Sequence, residues 1–188
     1  MNARTITFAT IGLLAFGLCY VQISQVEDSA RSELTELQAN TNPEPTTNTA
    51  VEINWMSWEE ALAANKANPR KLVIDVYTDW CGWCKRMDAT TFKDPKVAAY
   101  IADNFYAVKL DAEQKEDILY DGQTFTYQRQ GKRGVHMLAA SLLDNRLSYP
   151  SVVYLNGDME RIMISPGYKD ADKFLQELKY ANGESEQP

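Results

Sequence analysis

The stretch of sequence that decides the fold is Val73-Ile74-Asp75-Val76-Tyr77-Thr78-Asp79-Trp80-Cys81-Gly82-Trp83-Cys84-Lys85. It joins two elements with different patterns. Residues 71–77 form an apolar, β-branched run, which predicts a buried strand. A helix is predicted from about Cys81 through Met87. Both cysteines therefore lie where a strand ends and a helix begins.

The spacing of Cys81 and Cys84 suits dithiol–disulfide exchange. At a helix N-terminus the first sulfur lies beside free backbone N–H groups and the positive end of the helix dipole. Both stabilise the thiolate and lower the pKa of that cysteine. The second sulfur, one turn later, is near enough to close a disulfide and release a substrate. We therefore predict Cys81 and Cys84 as catalytic redox residues, with Lys85 and Arg86 adding positive charge nearby.

Two other roles are open to the cysteine pair. A zinc site needs about two more ligands, and only Cys19 and His136 remain among the cysteines and histidines. A purely structural bridge between residues so close in sequence closes too small a loop to stabilise much. We therefore expect no metal, and no cofactor beyond a redox-active Cys81–Cys84 disulfide.

Asp75 is a third candidate catalytic residue, because it lies in the middle of the apolar strand. Burial raises the pKa of a carboxyl group, which would suit Asp75 as a proton acceptor for Cys84. The alternative is an aspartate that faces solvent at a strand end. Lys109, on the next predicted strand, is a candidate ion-pair partner for Asp75, or else an ordinary edge charge.

The flanking segments predict an α/β fold with a mixed central sheet and helices on both faces. A capping box at Ser57 and Glu60 starts a helix that ends near Asn68. The other predicted elements are a helix from Asp94-Pro95 to about Ala102, strands at Phe105–Leu110, Ser151–Leu155 and Arg161–Ile164, a turn at Asn156-Gly157-Asp158, and a helix at about Asp170–Tyr180.

Residues 112–147 are harder to interpret. Asp121-Gly122 predicts a hairpin turn, and Gly134–Leu143 predicts an amphipathic helix. His136 is expected to decorate that helix without a catalytic role. The segment is also rich in aromatic and basic residues, which form either a solvated elaboration or a partner-binding surface: Tyr120, Phe125, Tyr127, Arg129, Lys132 and Arg133.

The chain has 188 residues and a net charge of −7, which argues against nucleic-acid binding.

The N-terminus predicts an exported protein. Residues 5–26 carry no charge, follow Arg4 and precede Glu27 and Asp28. We therefore predict a signal peptide or signal anchor at 1–26, with a membrane tether through 5–26 in the second case. A polar flexible linker is predicted at 27–52, a folded domain at 53–182 and a disordered tail at 183–188.

Residues 73–85 strongly resemble the active-site segment of thioredoxin-fold proteins, and the resemblance extends over about Ile53–Tyr180. Asp75 matches the buried acid of the family, and Trp80 matches the aromatic residue before the first cysteine. Tyr149-Pro150 matches the cis-proline segment that faces the disulfide. The run from Asp88 to Val97 looks most like the exported thioredoxin-like group, which includes the C-terminal domain of the transmembrane disulfide reductase that passes electrons into the periplasm.

The resemblance implies a thioredoxin-like fold with an insertion, residues 112–147, before the cis-proline strand. It also implies a substrate-binding surface at Trp80, Gly82, Trp83, Tyr149 and Pro150. The implied partners are protein disulfide substrates and an upstream thiol electron donor, in the periplasm or anchored to face it. A reductase of protein disulfides is favoured, although an oxidant or isomerase would use the same residues. The competing class is a non-catalytic binding or chaperone module that presents the insertion to a partner.

Overall fold

A computed structural model describes residues 51–131 and 133–186. The predicted signal segment 1–26 and residues 27–50 of the predicted linker lie outside these ranges. Within them, none of the helices has both the length and the apolar character that crossing a membrane requires.

The described chain forms nine strands and five α-helices, with one short 3₁₀ turn at Thr91–Lys93. The strands are β1 Trp55–Met56, β2 Lys71–Tyr77, β3 Phe105–Asp111, β4 Ile118–Tyr120, β5 Gln123–Phe125, β6 Tyr127–Gln130, β7 Arg133–His136, β8 Ser151–Leu155 and β9 Arg161–Pro166. The helices are α1 Trp58–Ala67, α2 Gly82–Ala89, α3 Pro95–Asn104, α4 Met137–Leu142 and α5 Ala171–Asn182.

Five strands form one mixed sheet in the order β1-β3-β2-β8-β9. β2 pairs with β3 in parallel and with β8 in antiparallel orientation, so β2 lies at the centre. In this register Asp75 lies between Lys109 of β3 and Val152 of β8. The predicted mixed sheet is confirmed.

Helices cover both faces of the sheet, because successive side chains of a strand point to opposite sides. On one face Val73 packs in a core with residues of α2, α3 and α5. On the other face Leu72, Ile74 and Val76 pack with residues of α1 and α4. Asp75 is two residues from Val73 and therefore points toward the face that carries α2.

Local sequence signals set most helix boundaries as predicted. Ser57 caps α1, and the reciprocal hydrogen bond from Ser57 N–H to Glu60 completes the capping box. Asp94 accepts hydrogen bonds from the first turn of α3, where Pro95 takes the first helical position. Asp170 caps α5, and Gly183 ends it in the left-handed conformation at φ 84°. The backbone N–H of Glu184 donates to the carbonyl oxygen of Lys179 at the end of this helix.

The segment 112–147 agrees with its prediction in the hairpin and differs in the helix that follows. The β4–β5 hairpin is confirmed, with Asp121 and Gly122 both at positive φ as a two-residue turn requires. The predicted helix over Gly134–Leu143 is wrong in its first part, because Arg133–His136 is a strand paired with β6. Helix α4 begins only at Met137. The apolar spacing of Val135 and Leu138 fits a helix, but these residues belong to different elements.

His136 is a buried anchor, which corrects the prediction that it decorates a helix surface. Its side chain is fully buried at the junction of β7 and α4. The Nδ1 atom accepts a hydrogen bond from the backbone of Leu138, and Nε2 lies 3.1 Å from the carbonyl oxygen of Glu116. The backbone N–H of His136 donates to Ala112, just after β3. His136 therefore fixes the insertion to the end of the central sheet.

Candidate active site

The two cysteines form a disulfide at the start of α2, with a sulfur–sulfur distance of 2.08 Å. Cys81 is the N-cap residue of α2, and its sulfur accepts a 3.1 Å hydrogen bond from the backbone N–H of Cys84. Cys81 and Cys84 are 5% and 2% exposed, respectively. The sequence order of strand, short turn and helix thus places the first sulfur against unpaired N–H groups of a helix N-terminus.

Asp75 is buried on the face of the sheet that carries α2, with 1% of the residue exposed. Its Oδ2 atom accepts a 2.7 Å hydrogen bond from Lys109 Nζ. Its Oδ1 atom has no hydrogen-bond partner among the described residues. Burial raises the pKa of Asp75 to about 6, against the lowering effect of Lys109 and with a smaller raising effect from Asp88. The predicted burial and the predicted pairing with Lys109 are both present.

Lys109 connects this buried carboxyl group to the surface. Its ammonium contacts both Asp75 and Asp88, and the side chain of Asp88 is 44% exposed. Burial lowers the pKa of Lys109, but the two carboxylates outweigh burial and leave the pKa above its usual value. Lys109 therefore stays charged. The sequence prediction missed Asp88. The signal that could have identified it is its position one turn after Cys84 on helix α2.

The peptide bond between Tyr149 and Pro150 is cis, in agreement with the family resemblance. Pro150 is buried, and its carbonyl accepts a 2.8 Å hydrogen bond from the backbone N–H of Gly167. The ring of Tyr149 packs edge-on against Trp80 at 5.9 Å. Burial, with smaller effects of Glu113 and Asp111, raises the pKa of Tyr149 to about 12, so its hydroxyl stays protonated. The structure thus brings the segments before Cys81 and before β8 together.

The other predicted surface residues surround the disulfide. Trp80 and Trp83 are 49% and 57% exposed, and Gly82 is exposed with open space where a Cβ would lie. Trp83 packs against Tyr168 at 5.3 Å, and the guanidinium of Arg86 lies over both rings. The sequence prediction included Trp83 but not Tyr168, which lies far along the chain.

One residue of the insertion reaches the active-site segment. The guanidinium of Arg133 lies 4.1 Å from the ring centroid of Trp80. The sequence marked Arg133 only as one of several basic residues of the segment. No local pattern indicates this contact, because it depends on how the β6–β7 hairpin docks.

The described residues contain no cluster of three or more histidine, cysteine, aspartate or glutamate side chains arranged to hold a metal ion. The site brings together two cysteines, a buried carboxyl group and a cis-proline segment. The arrangement can exchange electrons with a second disulfide or dithiol and can accept a proton at Asp75.

Comparisons with known proteins agree with this geometry. Residues 35–177 match the family model Thioredox_DsbH, described as a protein of unknown function, DUF255. The thiol:disulfide interchange protein DsbD of Photorhabdus laumondii is 34% identical over 129 residues, which cover 68% of this chain and 19% of that protein. The chain spans less than a fifth of the length of the curated relatives that head the comparison.

Solved structures share the fold. A structure titled DsbH oxidoreductase is 16% identical, with a TM-score of 0.52, and the match covers 74% of this chain and 92% of the other. A putative disulphide-isomerase from Bacteroides thetaiotaomicron is 26% identical, with a TM-score of 0.51, and the match covers 73% and 97% of the two chains.

Proposed function

Because this chain belongs to the thioredoxin-like DsbH family, we propose that it catalyses thiol–disulfide exchange through Cys81 and Cys84. The observation that carries the proposal is the disulfide at the N-terminus of α2, the helix on the face of the sheet toward which the buried Asp75, with its raised pKa, points. A structural bridge needs neither a helix N-terminus nor a buried acid. A helix N-terminus stabilises the thiolate of an attacking cysteine, and a buried carboxylate can take the proton of a second cysteine.

In the reducing direction, the thiolate of Cys81 attacks one sulfur of a client disulfide. The client disulfide breaks, a mixed disulfide forms between Cys81 and the client, and the second client sulfur leaves as a thiolate. The N–H of Cys84 and the helix N-terminus stabilise the attacking thiolate before this step. The burial of Cys81 limits attack to client segments that dock closely against the site.

Cys84 completes the exchange. Its thiol passes a proton to the carboxylate of Asp75, and the resulting thiolate attacks the Cys81 sulfur of the mixed disulfide. The Cys81–Cys84 disulfide forms, and the client leaves with its second thiol. Two electrons have then passed from this protein to the client. The unpartnered Oδ1 of Asp75 is the oxygen that is free to take the proton, and Lys109 and Asp88 connect the group to solvent.

Pro150 and the tryptophans form the docking surface in this proposal. The cis-proline segment packs against Trp80 through the ring of Tyr149, and the half-exposed Trp80 and Trp83 flank Cys81 along the chain. Gly82 leaves open space between them. A client chain in extended conformation is the substrate that such a surface suits.

We further propose that the protein works as an exported reductase, with an upstream dithiol that restores the reduced form. The uncharged segment 5–26 supports export, either as a cleaved signal or as a membrane tether. The relatives named thiol:disulfide interchange protein support an exchange partner on each side of the reaction. The location is then the periplasm or the periplasmic face of a membrane.

The decisive experiment uses the full chain with Cys19→Ser, so that Cys81 and Cys84 are its only thiols. The reduced protein is expected to reduce insulin disulfides with a thiol donor present. Cys81→Ser should abolish turnover, and Cys84→Ser should accumulate a mixed disulfide that mass spectrometry detects. Asp75→Asn should slow release from the mixed disulfide more than its formation, because the resolving thiol loses its proton acceptor.

The binding-module alternative predicts a different result. In that case Cys81→Ser would keep client binding intact, and the wild type would exchange no disulfide in either direction. A reduction potential of the cysteine pair, measured against glutathione, would then assign the direction of an active protein.

A further inference from the structure

Large apolar side chains are exposed around the disulfide more than elsewhere on the described surface. Five are exposed in total, at Val51, Trp80, Trp83, Leu119 and Leu147. Three of these five belong to the active-site region: two flank Cys81, and Leu147 lies just before the cis-proline. A concentration of exposed apolar side chains at a site that must dock another protein indicates contact with the substrate.

A cavity of about 240 Å³ lies between Trp80 and the segment that precedes the cis-proline. Its walls include Trp80, Leu147, Tyr149, Arg133 and Glu113. This volume is below the range of about 300–1,000 Å³ for sites that enclose a whole small molecule. It suits a single side chain. Because Trp80 precedes Cys81 and Tyr149 precedes Pro150, a client residue beside the reacting cysteine would meet this cavity.

The insertion builds one wall of the cavity and holds it rigidly. Arg133 lies at the start of β7 with its guanidinium over the ring of Trp80. The next residue, Gly134, leaves no room for a side chain, because a Cβ would come within 2.5 Å of Gln128 O and of the ring of Tyr127. His136 then anchors the strand to Ala112. These contacts fix the backbone of β7 so that the guanidinium of Arg133 can lie over the Trp80 ring.

We propose that this cavity is a specificity subsite for one large, uncharged apolar or aromatic side chain next to the client cysteine, with Arg133 and Leu147 as its specificity-determining residues. The charges at the rim support this class of occupant. Arg133 and Glu113 place one charge of each sign at the cavity, so neither a cationic nor an anionic client side chain meets a net attraction there, and each is repelled by one of the two. An aromatic ring avoids both repulsions and can stack on Trp80 and Arg133.

This subsite rests on the proposed exchange activity, and the test separates the two. The reduced full chain, as the Cys19→Ser variant, is mixed with glutathione disulfide and with disulfide-linked peptide dimers. The peptides differ only in the residues that flank the cysteine, which are Phe, Ser, Asp or Lys. Each dimer takes two electrons from the protein and yields two peptide thiols, which are quantified by chromatography after acid quench.

The Phe-flanked dimer is expected to react about tenfold faster than the Ser-flanked dimer, since partial burial of an aromatic side chain is worth about one factor of ten. The Asp- and Lys-flanked dimers should not exceed the Ser-flanked one. Leu147→Ser and Arg133→Gln should each reduce the Phe-to-Ser ratio to about threefold or less. Leu119→Ser, which removes an apolar side chain of β4 that is even more exposed than Leu147, should keep the wild-type ratio.

Equal rates for Phe and Ser peptides in the wild type would overturn the subsite while leaving the exchange activity in place. A Phe preference that persists in both variants would place the recognition elsewhere and overturn it too. Failure to reduce any disulfide, glutathione disulfide included, would instead contradict the proposed function. A circular-dichroism melt of each variant shows whether a lost preference comes from a folded protein.

Discussion

Asp75→Asn should make the oxidised protein more stable at neutral pH, although it removes a group from an ion pair. Burial raises the pKa of Asp75 from its ordinary value of 3.8 to about 6, even with Lys109 attached. Between these two values the folded protein holds a proton that the unfolded chain has released. Unfolding then releases a proton, so the contribution of Asp75 to stability falls as pH rises through this window.

The size of the effect follows from the two pKa values. A tenfold change in an ionisation constant is worth about 1.4 kcal/mol at 25 °C. The interval from 3.8 to about 6 therefore corresponds to about 3 kcal/mol. This amount is a large part of the total stability of an ordinary domain, which is about 5–15 kcal/mol. The asparagine side chain mimics the neutral acid, so the variant loses none of this energy as pH rises.

Urea unfolding of the oxidised protein at a series of pH values from 4 to 8 tests this expectation. The free energy of unfolding of Asp75→Asn minus that of the wild type should rise by about 2 kcal/mol between pH 4 and 8, because part of the total is already lost at pH 4, and should level off above pH 7. Titrating groups that do not interact with Asp75 cancel in this difference, and Lys109 stays charged throughout this pH range. Asp79→Asn, in the exposed loop after β2, serves as the control for removal of one negative charge. If the two stability curves stay parallel, the raised pKa of Asp75 is refuted.

Three further substitutions test the surrounding structure. Lys109→Met should raise the pKa of Asp75 further, because it removes the attraction that opposes burial; the same urea series should then show stability falling over a wider interval that extends to higher pH. Gly134→Ala should lower the free energy of unfolding by at least about 2 kcal/mol, since the added Cβ meets the Tyr127 ring and cannot be accommodated without backbone movement; an unchanged urea midpoint would show that the hairpin yields. Ser57→Ala should lower the free energy of unfolding by about 1 kcal/mol because α1 loses its cap, whereas Ser57→Thr should keep most of that stability.

The sequence predicted the central part of the fold well because its signals are local. The strand Lys71–Tyr77 has the predicted bounds, since a β-branched run buried on both faces leaves little choice of structure. Helix α1 is bounded by a capping box and by an asparagine that precedes proline. These signals act between residues at most a few positions apart, so tertiary context does not alter them.

The insertion was predicted less well because tertiary contacts decide its structure. Gly134 and Val135 form a strand since β6 is present to pair with them, and His136 ends that strand by bonding to residues of other segments. The two-residue strand Trp55–Met56 escaped prediction for the same reason, because only its pairing with β3 defines it. The β8–β9 turn was predicted, but Met159 takes the left-handed conformation there. Asn156 favours that geometry by accepting bonds from Asp158 and Glu160.

The candidate site divides along the same line. Asp75, Cys81 and Cys84 lie on one strand, turn and helix, so their relation could be expected from sequence order alone. The cis bond before Pro150 came from resemblance to a family and not from spacing. The contact between Arg133 and Trp80 joins two segments through the docking of a hairpin, and no local pattern in either segment predicts it.

The burial and the raised pKa of Asp75 support the proposed exchange chemistry and lower the stability of the fold at neutral pH. An ion pair retained for stability would hold the pKa of its carboxyl group below the ordinary value, yet burial outweighs Lys109 here and the pKa lies above it. One carboxylate oxygen also has no hydrogen-bond donor among the described residues, although a buried acceptor left unpaired is costly. The proposed role of Asp75 as proton acceptor for Cys84 would use this oxygen and this raised pKa. Asp75→Asn should therefore move stability and exchange rate in opposite directions, which a purely structural aspartate would not do.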